Sequence, residues 1–510
     1  MATYILRRLL LMIPTLIGIS LMIFLLVALS PGGVGAALRV AGGGATEATN
    51  RAVQEAYMED RYGLDDPVIV QYLRWLGRIS PVKFGQRDQV LPDDSLLNPP
   101  KPVKEPPLWR AWTDQLNAAA GIPGAAPSPT ATQEELQLAF RRAQDDYAQK
   151  RAAYVARRTQ AMEAVGDYLR ATDQPQFVDN KGLPRVERLK NFRPDTTNPA
   201  WKPAQEAGTR MIAAYQDALD SQQRLVTLFN LKPFKEAGVP IIPGVLSLAA
   251  PDLGTSFARG RPVSGLIADA LPVTLMLNLV AFPIIYTIAI PTGMLAATRK
   301  GTWIDTGSGT LFVALWSIPT VWAGVMAVGF LASKDWLGWF PVAGLHDNDA
   351  ARMTYLPTFN ADGSWQRGYL LDLLWHMALP VACMVYGGFA VLSKQTRAAM
   401  LDNFSADYVR TAKAKGVDGT TIVLAHVFRN SLLPLITMFA TIFPAMFGGS
   451  VIIERIFSIP GMGSLILEAI VLKDRELILA NAIIIAAVNI LALLLADLLY
   501  AFADPRVSYS

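Results

Sequence analysis

Charge is scarce in this chain. Only 17% of its 510 residues are Asp, Glu, Lys or Arg, while 52% are hydrophobic. A soluble globular protein carries about 25% charge, so the deficit points to a bilayer as solvent. Cysteine is almost absent. The single Cys383 cannot form an internal disulfide, so no disulfide framework holds an external domain. The three histidines, His346, His376 and His426, are far apart and lack metal-ligand spacing. They imply no bound metal. Residues 31–250 contain neither His nor Cys, which excludes thiol chemistry and His-based general-base catalysis there. No Gly-x-x-x-x-Gly-Lys-Ser/Thr loop occurs, so the chain supplies no nucleotide-phosphate cradle of that kind. The net charge of +4 is better read as orienting a membrane protein than as binding nucleic acid.

What is present is a series of long apolar runs. A spanning helix needs about 20 largely apolar residues. Leu9–Leu29 follows Arg7-Arg8 and ends at Pro31-Gly32-Gly33. It is longer than a signal-peptide core, so it reads as an uncleaved helix. Five further spans are expected at 271–297, 309–332, 374–392, 432–453 and 477–502. The fold class is therefore an all-α integral membrane protein with six transmembrane helices. A mainly helical extracytoplasmic insert lies between the first and second. Prolines 272, 283, 291, 319, 380, 434 and 444 fall in or beside these runs. Neighbouring helices in a bundle can satisfy the carbonyls that proline frees.

The distribution of Lys and Arg sets the orientation. Arg7 and Arg8 place the N-terminus in the cytoplasm, and six spans return the C-terminus there. Arg299 and Lys300 fall on the same side. So does the segment after the fourth span, with six basic residues (394, 397, 410, 413, 415, 429) against Asp402, Asp407 and Asp418. The loop before the fourth span is acidic on balance. Polar groups within spans are few: Asn278, Asn489 and Asp497. Asp497 reads as paired with a basic residue or water near the interface, although an intramembrane acid is a functional candidate by default.

The domains read as an N-terminal helix (1–30), a short external segment (31–80), an inserted external domain (81–250) and a five-helix core (251–510). Residues 56–79 read as short helices near the membrane surface. Pro92–Pro107 reads as an extended linker, and Gly121–Pro129 as a second soft stretch. From Thr132 onward, Leu136, Phe140, Ala143, Tyr147, Tyr154, Ala161, Val165 and Tyr168 recur at helical steps. Ala207, Met211, Tyr215, Ala218, Leu225 and Phe229 repeat the pattern. Two such stripes predict an antiparallel helical hairpin over 133–231, serving either packing or docking of an external partner.

The segment 395–430 carries the densest signal. Ser405 reads as an N-cap, Asp407 lies in the first turn, Lys413 and Lys415 in the last, and Gly416 terminates the helix. Asp418 then caps a second helix through Thr420–Arg429. The small Ala412 would let a partner approach closely.

The run Tyr408-Val409-Arg410-Thr411-Ala412-Lys413-Ala414-Lys415-Gly416, followed by His426-Val427-Phe428-Arg429-Asn430-Ser431-Leu432-Leu433-Pro434, resembles the cytoplasmic loop of ABC-type permeases for dipeptides, oligopeptides and nickel. Ala412 and Gly416 match the importer pattern Glu-Ala-Ala-x-x-x-Gly. Arg410 stands at the Glu position and Thr411 at the first Ala, a departure typical of the peptide subfamily. Tyr4–Leu9 with Pro14 and Ser30–Gly33, Arg61–Asp65, Asp252–Phe257, Trp375–Pro380, Glu454–Gly463 and Asp504-Pro505-Arg506 resemble its other landmarks in order. The likeness covers about residues 1–80 and 251–510. Ser80–Ala250 stands outside it as an insertion.

The resemblance implies a permease subunit of an ATP-driven importer in the bacterial plasma (inner) membrane, with peptides as the favoured cargo. Nickel or another small solute is the alternative within the class. A proton-coupled carrier is disfavoured by the sparse intramembrane acids and the lack of an inverted repeat, and a membrane-anchored scaffold would not need the capped loop. The implied partners are a second homologous permease, one or two ATPase subunits and an extracytoplasmic solute-binding protein. No cofactor is expected in this chain, with ATP and Mg on the ATPases, and no catalysis of its own. The ATPase-coupling residues would be Tyr408, Arg410, Thr411, Ala412, Lys413 and Gly416. Glu454, Pro460, Gly461 and Gly463 would shape the external end of the path.

Overall fold

The computed structural model describes residues 2–29, 61–63, 66–91, 96–97, 99–100, 102–106, 132–178, 183–189, 194–195, 197–256, 258–359 and 364–503. The Pro31-Gly32-Gly33 stop, the soft stretch 121–129 and the Asp504-Pro505-Arg506 landmark lie outside the described residues. So do residues 56–60 and parts of 92–107. The chain divides into two compact units, Leu25–Leu253 and the pair Met1–Phe24 with Gly254–Ser510.

Helix α1 (Ala2–Leu29) is apolar along most of its length, with Pro14 inside it. In the other unit, α2 (Val68–Ile79) buries Tyr72 and Trp75. Just before α2, Arg61 is 2% exposed and grips Asp252, with Nη1 donating to Oδ2 at 2.8 Å and Nη2 to the main-chain carbonyl at 2.9 Å. Arg78, near the end of α2, lies 3.6 Å from the same carboxylate. Two stretches 191 residues apart in sequence are thus joined.

The segment between Pro81 and Ala249 leaves and returns at one place. Strand β1 (Val82–Phe84) pairs antiparallel with β6 (Leu246–Leu248), which also pairs with β5 (Val239–Ile242). The Ala249 amide donates to the Pro81 carbonyl at 2.9 Å, and the Asp252 amide to Arg78 at 3.1 Å. A second small sheet pairs β2 (Gln89–Val90) with β3 (Leu96–Leu97) and β4 (Lys235–Glu236). These short strands are an addition to the all-helical expectation.

Between the sheets stand α3 (Gln133–Ala171) and α4 (Lys202–Asn230). Thr132 opens α3 with a capping box, its Oγ1 accepting from the Glu135 amide while the Glu135 carboxylate accepts from the Thr132 amide. The helices run antiparallel, with Phe140 against Phe229, Tyr154 against Tyr215 and Tyr168 against Trp201 along their length. The apolar stripes have no other way to leave water, which is why the two helices pair. The 92–107 stretch is not a free linker. Leu97 and Val103 are buried in the hairpin core, and Tyr154 Oη donates to the Lys104 carbonyl at 2.9 Å.

The core begins with α5 (Val263–Thr298), which contains Pro272, Pro283 and Pro291. Then come α6 (Trp303–Trp316) and α7 (Thr320–Ala332), whose second half is a π-helix. The span expected at 309–332 falls on a pair of helices bent by 82°. Pro319 causes the break. It has no amide hydrogen, and it pushes Ile318 out of helical geometry. Tyr386 Oη recovers the freed Ile318 carbonyl at 2.8 Å.

Helix α8 (Tyr369–Phe404) packs along α5. The approach is close at Gly293, where a Cβ would come within 2.6 Å of the Ser393 carbonyl. Next are α9 (Asp407–Ala414) and the helical stretch α10 (Gly419–Phe428). Then follow α11 (Leu432–Gly448), α12 (Val451–Ile456), α13 (Met462–Val471) and α14 (Arg475–Ala503). Among the described residues, five stretches are long and apolar enough to cross a membrane, or six if α6–α7 is one span. Their outward side chains, such as Leu6, Leu10, Met22, Leu26, Leu279 and Leu491, are more than half exposed. Such a surface suits a lipid environment.

Two polar contacts mark opposite ends of α8. Near its C-terminus, Arg397 makes a bidentate pair with Asp305 at the start of α6, at 2.6 and 2.8 Å. Near its N-terminus, Asp372 accepts from the Asp347 amide at 3.0 Å. The two residues are separated by about 37 Å along the helix, at 1.5 Å per residue. The bent pair and the loop after it therefore run from one end of α8 to the other. Arg8 of α1 pairs with Asp497 near the C-terminus of α14.

Candidate functional site

Two places bring the sequence-predicted residues together. The first is the α9–α10 turn. Val409 and Ala412 point inward onto Ala297, Met400, Ile422 and Val427, a small apolar cluster at the foot of α5 and α8. Ala412 is only 9% exposed. Its small side chain packs among the chain's own neighbours. Tyr408, Arg410, Thr411 and Lys413 occupy the exposed face. Arg410 is near Asp407 at 3.5 Å, an exposed contact of little energetic weight.

Ser405 does not cap α9, as expected, but closes α8, with its hydroxyl donating to the Asp402 carbonyl at 2.7 Å. Ala406 stands at the α9 N-cap. The other end of α9 matches the expectation. Gly416 has φ +74°. Its amide donates to Lys413 at 3.0 Å, and the Val417 amide donates to Ala412 at 3.1 Å. This is a Schellman closure, which needs a left-handed residue after the helix. Asp418 then accepts from the Thr420 and Thr421 amides at 2.9 and 3.3 Å and caps α10. Such a cap contributes about 1 kcal/mol.

A polar latch fixes α9 to the bundle. Tyr408 Oη donates to Asn403 Oδ1 at 2.7 Å, and Asn403 Nδ2 donates to Ser431 Oγ at 3.1 Å. Ser431 is fully buried, and its hydroxyl lies within hydrogen-bond reach of the Ala399 and Val427 carbonyls. Movement of α9 is thereby tied to the end of α8 and the start of α11.

The second place is a buried junction around Glu454, which is 1% exposed. Its Oε1 accepts from Thr274 Oγ1 of α5 at 3.0 Å and from the Ser450 amide at 3.1 Å. Its Oε2 accepts from the Ser464 amide in the first turn of α13 at 2.8 Å. Three donors and a helix N-terminus offset the cost of burying the carboxyl group. Thr274 Oγ1 in turn accepts from the Met462 amide at 2.8 Å. Gly463 packs against the Val451 backbone, where a Cβ would clash at 2.6 Å. Pro460 is exposed between Ile459 and Gly461, and the Gly461 amide donates to the Ile459 carbonyl at 2.9 Å. Glu454, Pro460 and Gly461 line a cleft of about 460 Å3 rimmed by Arg259, Arg261, Arg455, Asp269 and Glu468.

Three groups went unread in the sequence. Thr274 lacks any local signal because its partner lies 180 residues away. Asp305 could have been noticed as an acid in the first turn of an apolar helix. The third is the contact of His346 and His376, whose rings lie 6.5 Å apart beside Asp372 despite their distance in sequence. That contact corrects the view that these histidines are isolated.

Residues 289–509, which include the α9–α10 turn and Glu454 but not Thr274, match the family of binding-protein-dependent transport system inner membrane components. The chain is 38% identical over 260 residues to an oligopeptide transport system permease protein of Bacillus subtilis, covering 51% of this chain and 76% of that one. The chain belongs to this permease family. It is also 31% identical over 293 residues to a di/tripeptide transport system permease protein of Pseudomonas aeruginosa, covering 57% of this chain and 87% of that one. An inner membrane ABC transporter permease protein of Escherichia coli O157:H7 is 35% identical over 259 residues, or 51% and 68% of the two chains. The α9–α10 turn and Glu454 with its Ser450 and Ser464 partners lie within the family region of this permease.

Proposed function

We propose that this permease forms the translocation path of an ATP-driven peptide importer together with a second permease. The α9 helix is the coupling element. Its buried face holds the bundle, and its exposed face, with Tyr408, Arg410, Thr411 and Lys413, meets a cleft on an ATPase subunit. That division of faces is the observation carrying the proposal. ATP and Mg bind on the ATPase chains, and hydrolysis occurs there. An extracytoplasmic solute-binding protein delivers the cargo. Peptide is favoured because relatives from two organisms carry oligopeptide or di/tripeptide transport in their names.

The bent α6–α7 pair counts as one span in this reading. The contacts at opposite ends of α8 support it, since Asp305 and Asp347 bracket the pair. Six spans put both termini and α9 in the cytoplasm, which agrees with the basic excess at 394–429. The domains are then the N-terminal helix 1–30, an external segment 31–80, the insert 81–250 and the five-span core 251–510. Glu454, Pro460, Gly461 and Gly463 shape the external end of the path. Closure of the ATPases moves α9, and the latch through Asn403 and Ser431 passes that motion to α8 and α11.

Gentle detergent purification with mass spectrometry tests the assembly. Recovery of a second permease and ATPases in fixed ratio is expected. Recovery of this chain alone, under conditions that keep a known importer whole, would overturn the reading.

A further inference from the structure

Asp372 presents an unusual group. Its side chain is fully buried, and Oδ1 accepts no hydrogen bond. Around it stand His376 Nδ1 at 3.5 Å and His346 Nδ1 at 3.5 Å, the latter measured to Oδ2. The His346 Nδ1 is also buried without a hydrogen bond. His376 Nδ1 lies 3.0 Å from the Asp372 main-chain carbonyl. As a donor there it leaves the Nε2 lone pair free, and Nε2 is 3.7 Å from Asp347 Oδ1. One ligand atom each from Asp347, Asp372 and His376 lies within 4.8 Å of the others.

We infer that Asp347, Asp372 and His376 form a binding site for a divalent transition-metal ion such as zinc, with His346 within reach as a fourth donor. An ion bound at about 2.1 Å by tetrahedral ligands holds them about 3.4 Å apart. The 3.7 Å between His376 Nε2 and Asp347 Oδ1 and the 3.5 Å between His346 Nδ1 and Asp372 Oδ2 are close to that spacing. Two carboxylates and neutral imidazoles suit zinc better than calcium or magnesium, which favour all-oxygen sets. The Nδ1 contact to a carbonyl supplies the outer hydrogen bond that ligating histidines usually make. Arg367 lies 3.6 Å from Asp372 Oδ1 and rests over the Trp375 ring. It offsets one of the two negative charges when the ion is absent. Asp347, 61% exposed, gives the ion a route in from solvent.

The ion would clamp the loop after α7 to the start of α8. That loop also donates the Gly344 amide to the Phe457 carbonyl at 2.8 Å, three residues beyond Glu454. A loaded site therefore stiffens the Glu454 junction from outside. This does not depend on which solute is carried.

The test uses the full complex with a tag lacking histidine, stripped with EDTA and titrated with Zn2+ against a chromogenic chelator. One zinc per permease chain is expected. Asp347→Ala, an exposed change that leaves the buried packing alone, should weaken binding at least tenfold. His376→Gln should do the same, and Co2+ in the wild-type site should give the visible absorbance of a four-coordinate ion. No zinc bound by wild type, or equal binding by Asp347→Ala and wild type, would overturn the inference. Zinc that is released when the ATPases turn over would mark it as cargo and would also overturn a resident site.

Discussion

A Cβ atom on Gly461 would stand 2.6 Å from the carboxyl carbon of Glu454. The same atom would be 2.6 Å from Thr274 Oγ1. A glycine is required here by proximity, because three segments meet on one carboxylate. Gly461→Ala must push α13 away from α5. Overpacking of this kind costs about 1–3 kcal/mol. The variant should reach the membrane but melt earlier, and its uptake should fall more than its abundance, as read by labelled-peptide transport beside quantitative blotting.

Glu454→Gln tests the same junction by chemistry rather than volume. Three donors already point at the carboxylate, so an amide NH2 would face one of them. A buried mismatch of this type costs about 1–3 kcal/mol. Thermal unfolding of the purified complex should show the loss, and Thr274→Val should be less than additive with it.

At Gly416 the requirement is the backbone. A Cβ there would meet no heavy atom within 4 Å, yet φ is +74°. A branched residue in that region costs about 1–2 kcal/mol, whereas Asn tolerates it. Gly416→Val should therefore abolish ATP-coupled uptake with the complex still in the membrane, and Gly416→Asn should keep most of it. Equal uptake by Gly416→Val and wild type would refute a coupling role for α9.

The Asp305–Arg397 pair predicts a charge-geometry effect. Its two parallel hydrogen bonds match a guanidinium fork. Arg397→Lys should not restore what Arg397→Ala loses, since an ammonium cannot make both bonds. A double-mutant cycle with Asp305→Ala, read by melting temperature, should give a clear coupling term.

In the helical hairpin, Phe140 is completely buried and meets Phe229 and Phe234. Phe140→Ala should destabilise the hairpin by about 3–5 kcal/mol. Limited proteolysis should then cut within 133–230 at protease levels that spare the wild type.

Much of this architecture was legible because it rests on periodicity. The stripe from Phe140 to Tyr168 and the one from Met211 to Phe229 had to bury each other, and long apolar runs had to become helices. Gly416 and Asp418 were readable because caps are local. Ser405 misled because the end of α8 lies two residues before α9, and a hydroxyl there can close the first as well as open the second. The 309–332 break needed the consequence of Pro319 to be taken as a bend rather than a kink. Thr274–Glu454 and the contacts of Asp372 could not be read at all, since they depend on tertiary proximity across helices with no sequence period between them.

The segment that carries the helical hairpin begins and ends side by side, with Pro81 and Ala249 joined by one main-chain hydrogen bond. Its two attachment points therefore impose almost no spatial demand on whatever lies between them. That doorway is open to the engineer, since a reporter or affinity module whose termini are a strand spacing apart could be exchanged for it.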